Sequence, residues 1–116
     1  MKRDPRAFLS DVIEAGHAIQ KAVDCISVDD YCKSRLIRSS VEREFTIIGE
    51  ALSQLSRRDL DLFIQIDQAP QIISFRNKLT HDYVAINDQL VWGVIQGSLP
   101  ALLAQCTQLL IELNGA

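Results

Sequence analysis

The sequence predicts an all-α bundle of four to five helices, and three observations carry that expectation. Apolar residues recur at steps of three and four along most of the chain, no stretch alternates with the period of a half-buried strand, and the expected helix starts carry capping residues. At 116 residues, 47% of them hydrophobic and 23% charged, the chain is long and apolar enough to bury a core, and residues 1–116 are expected to form one domain.

Asp4-Pro5 starts the first helix: aspartate can cap, and proline at the first helical position loses no needed hydrogen bond. Phe8, Leu9, Val12, Ile13, Ala15, Ile19, Ala22 and Val23 then keep helical spacing to about Cys25. Ser27 with Asp30 forms a capping box in which Asp replaces the usual Glu, so a second helix begins there. No proline interrupts it, and it is expected to run to about Leu55 with Val41, Phe45, Ile48, Leu52 and Leu55 as its seam. Gly49 lies inside this stripe. Glycine there costs about 1 kcal/mol relative to alanine, and a close helix contact is the expected reason for it. The stretch SRRDLDLFIQIDQAP reads as a connection with about one helical turn. Gln71 to Thr80 form a third long helix on Ile72, Ile73, Phe75 and Leu79. Asn87 or Asp88 caps the last helix, which Pro100 must kink or restart after Gly97 and Ser98.

Composition narrows the function classes. No uninterrupted apolar run approaches the roughly 20 residues that span a bilayer, and the basic start gives way to Asp4-Pro5 rather than a signal-peptide core; a cytoplasmic protein is expected. Cys25, Cys32 and Cys106 form no C-x-x-C pair and read as reduced, small apolar residues. The formal charge of -3 excludes a globally basic nucleic-acid binder, but residues 1–58 hold ten Lys/Arg against nine Asp/Glu, whereas residues 59–116 hold two against six. A polyanion would have to meet a local basic patch. No Gly-rich phosphate loop or nucleophile elbow is present. Glu14 and His17 have the Glu-x-x-His spacing of di-metal bundles, but the position three before the other histidine is Lys78, so no metal and no cofactor are expected.

The stretch RNKLTHDYVAIN, Arg76 to Asn87, is the polar exception in an aliphatic chain. An arginine offers a permanent planar cation to a phosphate, and an imidazole can give or take a proton near neutrality. With a ribose 2′-hydroxyl as nucleophile, such a pair suffices to cleave RNA. Arg76 and His81 are five residues apart, about 140° around a straight helix, whereas Asn77 shares the face of His81. Either the helix ends near Thr80 and turns His81 back, or a second subunit completes the site. Tyr83, read from its residue type, is an amphipathic aromatic at a helix end.

The segment RNKLTHDY resembles the R-x4-H-x-Y signature of HEPN-domain toxins of the HepT-like family, with Arg76, His81 and Tyr83 at its three positions. VEREFTIIGEALSQL, Val41 to Leu55, is similar to that family's second-helix segment, and VWGVIQGSLPALL, Val91 to Leu103, to its kinked last helix. The resemblance implies a HEPN-like up-and-down bundle that forms a two-fold homodimer, and a metal-independent endoribonuclease toxin of a bacterial type VII toxin-antitoxin pair. It makes Arg76 and His81 the catalytic pair in a cleft at the dimer interface, with Asn77 in support. The implied antitoxin is an MntA-like minimal nucleotidyltransferase that silences the toxin by transferring AMP to Tyr83. Arg35, Arg38, Arg43 and Lys78 are the candidate cations of an RNA-binding wall; neither DNA nor a membrane is an implied partner. The alternative is a non-catalytic HEPN-type dimer that binds a nucleotidyltransferase or a nucleotide.

Overall fold

The computed structural model describes residues 3–81 and 86–115, and those residues are helical with no strand among them. The segments are α1 (Pro5–Ala22), α2 (Val28–Lys33), α3 (Arg35–Arg58), α4 (Leu60–Phe63), α5 (Ala69–His81), α6 (Asp88–Gln96) and α7 (Ser98–Leu113). The long ones, α1, α3, α5 and the pair α6–α7, make the bundle; α2 and α4 are short connectors. Helix α3 packs against α1 and α5 and touches α2 and α4, while α1 also packs on α7.

The expected starts are present, and the departures have local causes. The Asp4 carboxylate accepts the Arg6 amide, with Pro5 at the first helical position. Helix α1 stops at Ala22 rather than near Cys25, because Cys25 takes a left-handed backbone with φ 63° that a helix cannot contain. That turn leaves Cys25 in solvent; only Cys106 of the three cysteines is fully buried, so the expectation of a small apolar residue fails at Cys25. The Ser27–Asp30 capping box forms as expected.

One long helix from there to about Leu55 does not form. Ser34 has an extended backbone, and its hydroxyl accepts the Ile37 amide, capping a new helix that continues to Arg58. A serine that can cap is enough to break a helix when the turn before it finds another partner, and here the Arg38 guanidinium takes the Cys32 carbonyl. The connection after Arg58 contains the single short turn expected, α4, capped by Asp59.

At the other end Asn87 caps α6, its side-chain oxygen accepting the Gln89 and Leu90 amides. The break between α6 and α7 falls at Gly97, and Pro100 sits in the first turn of α7 where its missing N–H does least harm. Taken together, Asp88–Leu113 is long and apolar enough to cross a membrane by length and composition, which the expectation drawn from uninterrupted runs did not register. Val91, Ile95, Leu99, Leu102, Leu103 and Cys106 of this segment are buried in the bundle, while Leu90, Ile111 and Leu113 are exposed.

Phe8, Leu9, Val12 and Ile19 of α1 meet Val41, Phe45, Ile48, Leu52 and Leu55 of α3 in one continuous core, which Ile72, Phe75 and Leu79 of α5 extend. Tyr31 is also fully buried, its ring tilted against Trp92 at 5.7 Å, and its hydroxyl finds no hydrogen-bond partner among the described residues. Burial, followed by the charges of Glu42 and Asp88, pushes the phenol well above its ordinary range. Tyr31→Phe keeps the ring and removes an unpaired polar atom, so it should leave stability unchanged or raise it by up to about 1 kcal/mol in urea unfolding; a loss larger than that would reveal a partner for the hydroxyl.

Candidate active-site cleft

Phe75 fixes the rotation of α5: its ring meets Phe45 of α3 edge-on, with centroids 5.0 Å apart. The next residue, Arg76, is thereby laid across α3 at Gly49. A Cβ added to Gly49 would stand 2.6 Å from Cγ and 2.7 Å from Cβ of Arg76, too close for any side chain to coexist with this arginine. The expected close helix contact is therefore real, and it is made by the root of the arginine rather than by its flexible end.

The guanidinium is held but not neutralised. Its Nη2 donates to Ser53 Oγ at 3.2 Å, and its Nη1 lies 3.5 Å from a Glu50 carboxylate oxygen, long for a charge-assisted bond. Its Nε is buried with no partner among the described residues. The Arg76 side chain is 16% exposed against 56% for Glu50, so the acid lies mostly in water and screens the cation weakly. The Gln54 amide, and after it Arg76, holds the Glu50 carboxyl below its usual range. Arg76 opens into a cleft of about 450 Å³ whose lining includes Arg3, Arg43, Arg58, Glu50 and Gln54.

The other expected site residues are placed unequally. His81 is the last residue of α5 and is exposed; because the helix runs unbroken through it, Arg76 and His81 leave the axis about 140° apart. Helix α5 ends at His81, one residue after Thr80, whose hydroxyl donates to the Arg76 carbonyl inside the helix. Asn77 is exposed one turn before His81 on the same face. Tyr83 lies outside the described residues. Of the four candidate RNA-binding cations, only Arg43 lines the cleft. Arg38 is turned inward, bonded to the Cys32 carbonyl and 3.6 Å from Asp88; Arg35 is exposed at the start of α3; and Lys78 lines a separate groove with Phe75, Leu90 and Val94. Sequence reasoning missed Arg3, Ser53 and Arg58. For Arg58 a signal existed, because it stands on the same side of α3 as Arg43, fifteen residues on; nothing in the order of residues places Arg3 there. Glu14 and His17 are exposed on α1, and the described residues contain no group of three or more His, Cys, Asp or Glu able to hold a metal ion.

The all-helical architecture is compatible with a HEPN helical bundle, and α5 carries the Arg76 and His81 of the R-x4-H spacing. A family model described as "Ribonuclease HepT-like" matches residues 12–109, and the chain belongs to that HepT-like family. It is 25% identical over 114 residues to a Methanocaldococcus jannaschii chain whose name reads "Putative RNase", covering 98% of this chain and 93% of that one. A chain of Caldanaerobacter subterraneus subsp. tengcongensis with the same designation is 26% identical over 108 residues, 93% of this chain and 96% of the relative. The "Probable ribonuclease HepT" of Thermococcus cleftensis is 26% identical over 102 residues, 88% of this chain and 92% of that one. No solved structure matches the chain significantly.

Gly49→Ala tests the seat of Arg76. The new methyl must push the arginine root aside, so any RNA cleavage that depends on Arg76 should fall on the order of 10²-fold, with unfolding free energy lowered by only about 1–3 kcal/mol. Full activity in the folded variant would show that the seat does not set the chemistry.

Proposed function

We propose that this chain is a metal-independent endoribonuclease, the toxin of a type VII toxin-antitoxin pair, acting as a homodimer in the cytoplasm. The observation that carries the reading is the seat of Arg76: a rigidly rooted guanidinium, loosely matched by an exposed carboxylate, facing a cleft rich in arginine. A cation placed so is suited to a phosphate whose charge grows in the transition state.

In the proposed reaction a histidine takes the proton from the RNA 2′-hydroxyl, and the 2′-oxygen attacks the adjacent phosphorus. The bond from phosphorus to the 5′-oxygen breaks, and that oxygen takes up a proton, leaving a 2′,3′-cyclic phosphate and a 5′-hydroxyl. His81 serves as general acid/base, Arg76 stabilises the phosphorane-like charge, and Asn77 orients the imidazole or holds a phosphate oxygen. The regular course of α5 through His81 supports completion by a second copy, because one helix sends Arg76 and His81 to different sides. A two-fold axis beside the cleft would bring Arg76 of one chain to His81 of the other, giving two such sites in each dimer.

The off-switch belongs to Tyr83. Its phenol oxygen attacks the α-phosphorus of ATP on an MntA-like nucleotidyltransferase, pyrophosphate leaves and the phenol proton passes to solvent or a base. The attached AMP adds bulk and a negative phosphate that competes for Arg76.

Wild type, His81→Ala and Arg76→Ala are to be compared on RNA in EDTA. Wild type should cleave; loss of the histidine should cost on the order of 10² to 10⁴-fold and loss of the arginine on the order of 10² to 10³-fold. Cleavage that demands a divalent ion, or survives both changes, removes the mechanism. Stable binding of a nucleotidyltransferase with no RNA degradation would instead favour the non-catalytic dimer. Mass spectrometry of the chain incubated with active partner and ATP should find AMP on Tyr83 and none on Tyr83→Phe; an unmodified wild-type chain would exclude the switch.

A further inference from the structure

We propose that the outer face of α3 is the floor of a groove that grips the sugar-phosphate backbone of single-stranded RNA, with Arg43 and Arg58 holding phosphates on either side of the one at Arg76. The inference rests on the ribonuclease reading of Arg76 and adds a substrate path to it.

Arg43, Ile47, Glu50, Gln54 and Arg58 fall within an arc of about 80° on α3, opposite the stripe that faces the core, and all line the cleft. Phe8 and Asp11 of α1 form one wall and Arg76 of α5 the other. The two carboxylates in this groove already have partners: Asp11 bonds Arg3 at 2.9 Å, and Glu50 faces Arg76 at 3.5 Å. Among the described residues neither Arg43 nor Arg58 makes an ion pair or a side-chain hydrogen bond, so the groove carries two unmatched positive charges on a chain whose net charge is -3.

Their spacing decides the ligand class. Fifteen residues of helix separate Arg43 from Arg58, about 22 Å along the axis, and the Arg76 guanidinium meets α3 between them at Glu50 and Ser53. The phosphates of a mononucleotide sit together and cannot reach both ends; an extended polyanion can. Among the described residues the groove also offers no stacking platform. Its aromatic residue, Phe8, is 3% exposed and is covered by the Arg3 guanidinium 4.9 Å above its ring. Bases therefore find no ring to stack on among the described residues, and recognition runs through phosphates, tolerant of sequence and steep in salt.

The test uses the full-length His81→Ala protein, which binds without cutting, and fluorescent single-stranded RNA of about twelve nucleotides. Anisotropy across a salt series gives the slope of log K against log salt. Replacing both arginines, Arg43→Gln with Arg58→Gln, should make that slope shallower by about 1.4, two single-strand phosphate contacts at about 0.7 each. Lys21→Gln with Lys33→Gln changes net charge equally outside the groove and should leave the slope as it was. Exchanging a mixed-sequence RNA for a purine-only or pyrimidine-only one should move affinity less than threefold. An unchanged slope in the arginine pair, an equal loss in the lysine pair, or no binding at low salt overturns the groove. Cleavage by the wild type is read separately: RNA cut with the slope unchanged removes the groove alone, whereas RNA bound through both arginines but never cut supports the groove and removes the nuclease.

Discussion

The missing side chain at Gly49 lets the root of Arg76 lie directly on α3, and the geometry of the cleft follows from that contact. A helix-interior glycine is costly in isolation, yet here it sets how closely α5 can approach α3. Phe45 against Phe75 supplies the apolar part of the same approach and fixes the angle at which α5 presents its polar residues. With the stem immobilised, the guanidinium loses little further freedom on meeting a phosphate, the condition under which a fixed cation contributes most to a transition state. The long contact with an exposed Glu50 then reads as a modest restraint that an arriving phosphate can replace.

Charge is distributed in keeping with this arrangement. Overall the chain is acidic, and its second half especially so, but arginines from α3 and α5 and from the residues before α1 converge on one groove. A short polyanion would be attracted locally while the rest of the surface repels it, which keeps a small bundle from binding nucleic acid everywhere. Arg38 shows the opposite use of the same residue type: joined to a carbonyl of α2 and close to Asp88 of α6, it ties three helices together.

Much of the fold was legible because it depends on spacing. The seam from Val41 to Leu55, the Asp4-Pro5 start, the Ser27–Asp30 box and the Asn87 cap are local signals, and each appears in the structure. The break at Ser34 was not legible, since a serine continues a helix or caps a new one according to which partners surround it, and the arginine that engages the preceding turn is four residues away. Less of the candidate cleft was legible. Gly49 announced a close contact without naming its partner, and the motif announced Arg76 and His81 without the cleft. Arg3 and Arg43 meet only through the packing of helices distant in sequence, which no periodicity encodes. Arg35, Arg38 and Lys78 carry the same charge as Arg43; where each stands along and around its helix separates the cleft arginine from the other three.

The central claim is that Arg76 of one chain and His81 of another act on the same phosphate. Mixing purified Arg76→Ala and His81→Ala proteins after reversible dissociation tests it most directly. Each alone should be nearly inactive, and the mixture should recover about a quarter of wild-type cleavage, because half of the dimers are mixed and each of those carries one intact site of two. A mixture as inactive as its components, with heterodimers verified by native mass spectrometry, would contradict the shared site.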